Sequence, residues 1–422
     1  MSASSAKNKA VENVLIMQGG GSLGAFACGV YKGLAKRHVQ IDIVAGTSIG
    51  AVNAAIIAGS KHGSPEKDLE EFWLEVAEST PTIIPDLFTV DYDENAHTYL
   101  PKRTSSASAN AALFGVPKMF VPRWSRIWSS PNHPSVLPLD DMNDSMDRVD
   151  KQTSRFNVEW SNPANWTYFY DHSPLADTLK KYIDYDKLNL AAEEESLPSV
   201  LRLIITAVDV LSGKPLIFDN TKTRIESRHI LASSGYPIYG FPWIRLHSAG
   251  RDVYAWDGSL LSNTPIREVL YVSPKTNKNV IIVENYPQKI DRLPANILEV
   301  TNRVKDILFS DKDMHNIKIS KLITRHIQLI ERLYYLYDNN IDKSKIDQTE
   351  VKEIESEFKT LIQNYGAKIL SVTRIIRSEM ESPNILKNAD FSSTTVKKLI
   401  SLGEKMAIEK IDRIRARKIT GL

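Results

Sequence analysis

Cysteine is almost absent from this chain of 422 residues, because Cys28 is the only one. A single cysteine excludes an intrachain disulfide and fits a reducing compartment. Long apolar runs are missing too, since none approaches the roughly 20 residues that span a bilayer. The polar start of the chain also lacks the apolar core of a signal peptide. We therefore expect a cytoplasmic protein whose contact with membranes can only be peripheral.

An excess of charge of one sign is lacking as well. The 53 basic and 51 acidic residues leave a formal net charge of +2, so the charge balance gives no reason to expect a nucleic acid partner. The chain is 42% hydrophobic and 25% charged, which is an ordinary globular composition. Its length suits one large α/β domain with an extension, or two domains.

The apolar pattern near the start alternates between short buried runs and helical periodicity. Strands are predicted at about residues 14–17 and 41–45, and helices at about 25–36 and 51–58. This strand–helix–strand–helix order predicts a parallel sheet with helices on its faces. The strand pattern returns at residues 201–208 and 280–283.

The rest of the pattern suggests how the chain is divided. Residues 1–12 are predicted to be a disordered tail, and residues 13–290 an α/β domain. Within that domain, residues 80–165 are rich in Pro, Ser and Asn and predict a long insertion or lid with little regular structure. Residues 291–422 predict a mostly helical extension packed on the domain, in which residues 369–376 resemble a strand that could rejoin the sheet.

A glycine-rich loop joins the first strand to the first helix. It matches G-x-G-x-x-G, the dinucleotide-binding pattern, in the required strand-to-helix context. It would equally serve as an oxyanion hole, because glycines let backbone N–H groups converge on a negative charge at a helix N-terminus. A purely structural turn is the third alternative. The residues that would form the oxyanion hole are Gly19, Gly20, Gly21, Ser22 and Gly24.

A second motif follows the second strand and has the form G-x-S-x-G, typical of a nucleophile elbow. Its residues are Gly46, Thr47, Ser48, Ile49 and Gly50. The alternative interpretation of Ser48 is a helix N-cap. A dinucleotide fold would need an acidic residue at the end of this strand to bind ribose. Asp42 lies near the start of the strand instead, which favours the oxyanion-hole hypothesis for the glycine loop.

A serine nucleophile needs a base to take its proton. None of the nine histidines lies in a pattern that supports this role. Asp257 follows an apolar strand end and precedes Gly258, an arrangement that an ordinary Asp-Gly turn would also produce. A carboxylate is a weak base in water, with a pKa of about 4, but burial in a dry pocket raises that pKa. A Ser–Asp dyad is therefore chemically feasible.

In this order, the glycine loop, the serine motif and Asp257-Gly258 resemble the motifs of the patatin-like phospholipases. Two further blocks carry the resemblance, Ala232-Ser233-Ser234-Gly235-Tyr236-Pro237 and Ser262-Asn263-Thr264-Pro265. Together these motifs span about residues 14–287. The chain departs from the family where Leu23 replaces a usual basic residue and Ser259 replaces a usual Gly or Ala.

The resemblance implies a three-layer α/β fold, with a central, mostly parallel sheet flanked by helices and a mostly helical C-terminal extension. It implies a lipid acyl hydrolase in which Ser48 is the nucleophile and Asp257 the base, with no third member, metal or other cofactor. The expected partners are a lipid substrate and a membrane or lipid-droplet surface. Two other functions stay open: a dinucleotide-binding oxidoreductase and a non-catalytic lipid-binding module.

The predicted insertion contains a segment in which apolar and aromatic residues mix with basic ones. Such a mixture suits the headgroup boundary of a membrane, and a packed lid or core segment is the alternative. The residues are Leu113, Phe114, Val116, Lys118, Met119, Phe120, Val121, Arg123, Trp124, Arg126, Ile127 and Trp128.

Overall fold

The computed structural model describes residues 11–93, 98–104, 106–123, 166–193, 201–248, 250–273, 276–290, 293–294, 297–377 and 387–420. Residues 1–10 of the predicted tail and residues 124–165 of the predicted insertion lie outside the described residues. Within the described ranges, no helix combines the length and the apolar character needed to cross a membrane.

The described strands and helices alternate through the first 280 residues, and helices dominate afterwards. The strands are β1 (Val11–Met17), β2 (Ile43–Thr47), β3 (Leu87–Asp93), β4 (Thr98–Thr104), β5 (Val121–Pro122), β6 (Tyr170–Asp171), β7 (Arg202–Asp209), β8 (Pro215–Asp219), β9 (Ile244–Ser248), β10 (Arg251–Asp257), β11 (Asn277–Glu284) and β12 (Ile369–Ile376). The helices are α1 (Gly24–Lys36), α2 (Ile49–Ala58), α3 (Pro65–Glu78), α4 (Ala107–Phe114), α5 (Ser173–Tyr182), α6 (Tyr185–Glu193), α7 (Ser227–Ser234), α8 (Ile266–Val272), α9 (Ile297–Asn340), α10 (Gln348–Tyr365) and α11 (Ser393–Thr420).

A central sheet of eight strands organises the fold, in the order β12-β11-β1-β2-β7-β10-β9 with β8 also paired to β7. The pairs from β12 to β7 are parallel, whereas β10 pairs antiparallel with both β7 and β9. The mostly parallel sheet flanked by helices confirms the predicted α/β fold. The predicted strand at residues 369–376 is also confirmed, because β12 extends the sheet beside β11.

Side chains along the central strands alternate between two apolar cores, as the pleat of a strand requires. On β1, Leu15 and Met17 belong to the larger core, which the helices α1, α2 and α3 cover. Val14 and Ile16 point to the other face and pack with residues of α8. All four side chains are fully buried. Burial on both faces explains why β1 appears in the sequence as a continuous apolar run.

The C-terminal helix α11 packs along α1, so the extension shares the larger core. Two glycines allow the close approach of these helices. A Cβ on Gly29 would lie 1.9 Å from the carbonyl oxygen of Ile400, and a Cβ on Gly403 would lie 2.2 Å from that of Phe26. Real side chains cannot occupy such positions, so the backbones touch only because both residues are glycine.

The predicted insertion differs from expectation, because its described part contains regular elements. Strands β3 and β4 form an antiparallel hairpin that pairs with no other described strand, and α4 follows it. The Ala-rich sequence of α4 favours a helix. The eight residues of α4 are too few to show a clear helical period in the sequence.

Substituting Gly403 with alanine tests the helix contact. Alanine favours a helix by about 1 kcal/mol relative to glycine, but the added methyl would collide with the α1 backbone. We expect Gly403→Ala to lower the free energy of unfolding by about 1–3 kcal/mol, as overpacking does. Chemical denaturation measures this change. Ser401→Ala, at an exposed position on the same helix, should change stability by less than about 0.5 kcal/mol. A Gly403→Ala protein as stable as wild type would contradict the close contact.

Candidate active site

Ser48 lies on the turn between β2 and α2, in a backbone conformation that is unfavourable for a residue with a side chain. Its φ is 58° and its ψ is −130°. The turn needs glycine on both sides: a Cβ on Gly46 would lie 2.1 Å from the carbonyl oxygen of Gly50, and one on Gly50 would lie 2.2 Å from the last carbonyl of β1. The Ser48 N–H donates to Ser233 Oγ at 3.0 Å. The turn therefore presents the Ser48 side chain at the carboxyl edge of the sheet.

The pairing of three strands places Asp257 beside this turn. Thr47 pairs with Thr206 of β7, and the next residue, Ala207, pairs with Asp257 of β10. The hydroxyls of Thr47 and Thr206 are 2.7 Å apart and buried, which joins β2 to β7 at this level. Asp257 is thereby held at the height of Ser48, two strands away in the sheet.

The Asp257 side chain is completely buried. Its Oδ1 accepts a hydrogen bond from the Ser259 N–H at 2.8 Å, whereas Oδ2 has no hydrogen-bond partner among the described residues. Burial raises the pKa of this carboxyl from 3.8 to about 6, and interactions with Ser259 and the Ser48 side chain oppose the rise. The Ser48 side chain therefore lies close enough to the carboxyl to affect its pKa, although Oδ2 forms no hydrogen bond with a described residue.

The glycine loop approaches Ser48 from β1. Gly20 and Gly21 line the same pocket as Ser48 and have φ values of 153° and 56°. Their N–H groups have no acceptor within the part of the chain that the structure describes. The Gly19 N–H donates to Asn263 Oδ1 at 3.0 Å, and the Gly24 N–H donates to carbonyls within the loop. The expectation that Gly19 and Gly24 supply oxyanion donors is therefore corrected: their amides maintain the turn.

Ser22 and Leu23 point away from the pocket. Ser22 is buried, and its hydroxyl donates to the carbonyl oxygen of Lys387 at 3.2 Å. Leu23 is 3% exposed and belongs to the larger core. The glycine loop therefore brings no basic side chain to the pocket.

The C-terminal extension completes the pocket, which the sequence did not predict. A Cβ on Gly21 would lie 2.2 Å from the carbonyl oxygen of Asn388, so this part of the extension contacts the glycine loop directly. Asn388, Phe391 and Phe309 line the pocket together with Ser48. No motif near these residues indicates this, because their role depends on tertiary packing alone.

The pocket itself is lined mostly by apolar side chains. No histidine and no basic residue is among the described residues that line it. The lining residues are Gly20, Gly21, Ser48, Ile49, Ala111, Ala112, Met119, Phe120, Tyr170, Ser234, Tyr236, Tyr239, Phe241, Asp257, Ser259, Asn263, Tyr286, Phe309, Asn388, Ala389 and Phe391.

The aromatic segment of the predicted insertion divides between the core, the pocket and the surface. Val116 is fully buried in the larger core, and Arg123 is buried against the rings of Trp166 and Tyr168. Met119 and Phe120 line the pocket, and Phe120 packs edge-to-face against Phe391 of the extension. Leu113 and Phe114 are 50% and 37% exposed. Trp124, Arg126, Ile127 and Trp128 lie outside the described residues.

Two asparagines hold the glycine loop in place: Asn285, which sequence reasoning missed, and Asn263, which belongs to one of the motif blocks. The Asn285 N–H donates to Gln18 Oε1 at 2.8 Å, and Asn285 Nδ2 donates to the carbonyls of Gln18 and Gly19 at 3.0 and 3.1 Å. Asn263 Oδ1 accepts from both Gly19 and Ser259. Asn285 follows β11 directly, and polar residues at the carboxyl ends of parallel strands are the signal that could have identified it.

Comparison with known proteins gives one family match. The family model described as patatin-like phospholipase matches residues 15–270, more than half of the chain. Among solved structures, VipD from Legionella pneumophila is similar at 14% sequence identity, with a TM-score of 0.35 over 98% of this chain and 72% of that one. No curated protein matches the chain. Both Ser48 and Asp257 fall inside the range that the family model matches.

The raised pKa of Asp257 predicts a pH-dependent loss of stability. Because the folded protein holds this proton more tightly than the unfolded chain, the stabilising effect is complete below pH 3.8 and is lost as the pH rises through about 6. The Asp257→Asn side chain carries no charge. We therefore expect the free energy of unfolding at pH 7.5 to be higher for Asp257→Asn than for wild type, by up to about 3 kcal/mol. The difference should vanish near pH 4, as urea denaturation across this range would show.

Asp252→Asn is the matched control on the same strand. Hydrogen bonds from Arg245 and His247 lower the pKa of Asp252, so its replacement should slightly reduce stability at neutral pH. An Asp257→Asn protein that is less stable than wild type at pH 7.5 would show that the buried carboxylate is not a source of strain.

Proposed function

The chain belongs to the patatin-like phospholipase family, and from this premise we propose that it hydrolyses acyl esters of phospholipids or related lipids with Ser48 as nucleophile and Asp257 as general base. Membership of the family makes it a lipid acyl hydrolase in the general sense. The observation that carries the finer proposal is the position of the strained Ser48 beside a buried carboxyl whose Oδ2 has no described partner.

In the first half of the proposed reaction, Asp257 Oδ2 accepts the Ser48 hydroxyl proton while Ser48 Oγ attacks the ester carbonyl. A pKa of about 6 leaves the carboxyl ionised at neutral pH and makes it a stronger base than an exposed aspartate. The N–H groups of Gly20 and Gly21 then stabilise the oxyanion, and one such donor is typically worth about 10²–10³ in rate. Asp257 returns the proton to the departing alcohol, which leaves an acyl group on Ser48.

In the second half, a water molecule takes the place of the alcohol. Asp257 accepts a proton from this water while the water oxygen attacks the acyl carbonyl. The tetrahedral intermediate collapses, the fatty acid departs, and the proton returns to Ser48 Oγ. No group other than the dyad and the backbone amides is needed, since the same carboxyl acts as base and acid in turn.

The surroundings of the dyad support a lipid substrate. The apolar and aromatic lining of the pocket suits an acyl chain. On α4, Ala111 and Ala112 line the pocket while the neighbouring Leu113 and Phe114 are exposed. Exposed apolar residues beside a pocket suit contact with a membrane or droplet surface, so we propose this edge as part of the interfacial contact.

The geometry also favours hydrolysis over the dinucleotide hypothesis. A dinucleotide pyrophosphate must approach the backbone of the glycine loop closely. Here the Asn388 carbonyl already contacts the loop at Gly21. Asp42 precedes β2 and bonds the N–H of Asn13, so it lies at the opposite edge of the sheet from the loop.

Replacing Ser48 tests the proposed nucleophile. We expect Ser48→Ala to abolish both hydrolysis of a soluble p-nitrophenyl ester and covalent labelling by a fluorophosphonate, because only the attacking oxygen is removed. Mass spectrometry of the labelled protein and a thermal unfolding curve are the measurements. Ser401→Ala, which removes an exposed hydroxyl on α11, should keep both activities. If Ser48→Ala remains labelled and active, another residue is the nucleophile. A wild-type protein that binds lipid but neither hydrolyses nor labels would indicate a non-catalytic module.

Replacing Asp257 tests the proposed base. An asparagine side chain at this position would keep the shape of the aspartate without accepting a proton, so Asp257→Asn should reduce turnover on the order of 10³–10⁴, as loss of a triad member does. In wild type, kcat/KM should fall as the pH drops below about 6, because the base becomes protonated. Asp252→Asn should keep the wild-type rate and profile. A near-normal rate for Asp257→Asn would contradict the dyad.

A further inference from the structure

A lysine of the extension contacts two residues that line the pocket. Lys305 lies on α9, and its Nζ is 3.3 Å from Asn388 Oδ1 and 5.2 Å from the centre of the Tyr239 ring. Asn388 and Tyr239 both line the pocket, and Asn388 Nδ2 donates to the Tyr239 hydroxyl at 3.0 Å. Lys305 is therefore one contact away from the space that holds Ser48 and Asp257.

The surroundings of Lys305 differ from those of a lysine in an ion pair. No carboxylate in the described part of the chain forms an ion pair with it; its contacts are an amide oxygen and an aromatic ring. The adjacent acid in the chain, Asp306, forms an ion pair with Lys387 instead. Burial and the positive charge of Lys387 lower the pKa of Lys305. An anion beside Lys305 would relieve this unfavourable environment.

The size of the pocket limits how much of a phospholipid it can enclose. Its volume is about 200 Å³, below the roughly 300–1,000 Å³ of sites that enclose a whole small-molecule ligand. A phospholipid bound with its ester at Ser48 would therefore extend beyond the pocket. Next to Lys305 on α9, Val304 and Leu308 are 49% and 60% exposed. A lysine among exposed apolar residues is typical of the boundary between acyl chains and headgroups.

We propose that Lys305 binds the phosphate of a phospholipid substrate at the side of the pocket formed by Asn388 and Tyr239, and so makes the enzyme selective for phospholipids over neutral glycerides. This inference rests on the proposed function, because it assigns the substrate class of the same site. The ammonium would donate to a phosphate oxygen while Asn388 and Tyr239 hold the lysine side chain in place. Lys305 acts as a specificity residue and takes no part in proton transfer.

The simpler alternative is that Lys305 only fixes the position of Asn388 and has a structural role. The two roles differ in one measurable respect. A phosphate contact affects ligands that carry phosphate and leaves neutral esters unchanged, whereas a structural contact affects both classes alike.

The binding experiment uses the Ser48→Ala protein, so that no turnover occurs. Its ligands are dihexanoylphosphatidylglycerol below its critical micelle concentration, dihexanoylglycerol and inorganic phosphate, each titrated by calorimetry. Adding Lys305→Gln should weaken binding of the phospholipid at least about tenfold, the size of one charge-assisted hydrogen bond, and leave dihexanoylglycerol unchanged. Lys305→Arg should retain most of the phospholipid affinity. Lys321→Gln, at an exposed position on the same helix, should have no effect.

The same substitutions in the protein with Ser48 intact give a second measurement. Lys305→Gln should lower kcat/KM for the phospholipid by a similar factor and leave that for dihexanoylglycerol unchanged, with an unaltered melting temperature. Lys305→Met retains the aliphatic stem and replaces Lys305→Gln if that variant fails to fold.

Three outcomes would overturn the assignment of Lys305. One is an equal effect of Lys305→Gln on both lipids, another is no effect on either, and the third is inorganic phosphate binding as tightly as the phospholipid. Failure of the proposed function gives a different pattern, in which the protein with Ser48 intact hydrolyses neither lipid. The calorimetry still tests the phosphate contact in that case, and absence of phospholipid binding there rejects it.

Discussion

The backbone register across β2, β7 and β10 fixes the relation between Ser48 and Asp257. Strand β7 is paired in parallel with β2 and antiparallel with β10. It therefore brings the C-terminal end of β2 level with the C-terminal end of β10. A shift of one residue in either pairing would turn Asp257 to the opposite face of the sheet. The register is secured by apolar residues buried on both faces and by the buried contact between the Thr47 and Thr206 hydroxyls. The relative position of Ser48 and Asp257 therefore depends on the buried centre of the sheet.

Two features of this site oppose folding. A serine with positive φ costs about 1–3 kcal/mol, and an ionised carboxyl buried beside it is also unfavourable at neutral pH. Neither would persist on a flexible loop, where the chain would relax. Around Ser48 and Asp257, little relaxation is possible, because glycines allow close backbone contacts, Ser233 Oγ accepts from the Ser48 N–H, and the Ser259 N–H donates to Asp257. The packing of the rest of the sheet therefore offsets the free-energy cost of these two features.

The sequence predicted the parts of the protein that depend on local pattern. The strand–helix alternation, the turn at Ser48 and the strand at residues 369–376 follow from apolar periodicity and from glycine placement. The occupied amides of Gly19 and Gly24 were not predictable, because they depend on Asn263 and on the loop geometry. The hairpin of β3 and β4 was missed for a similar reason: its strands pair with each other and carry no run of apolar residues.

The pocket also shows why family membership leaves the substrate undefined. The family model ends at residue 270, and within that range lie Ser48, Asp257 and the glycine loop, which carry the proposed chemistry. Tyr286, Phe309, Asn388, Ala389 and Phe391 line the same pocket from beyond that range. In the proposed reaction, these residues would contact the bound lipid. The ester itself would react beside Ser48 and Asp257, which belong to the matched range. The pocket lining is therefore shared between the matched range and the extension, so a change in the extension would alter the pocket without touching Ser48 or Asp257.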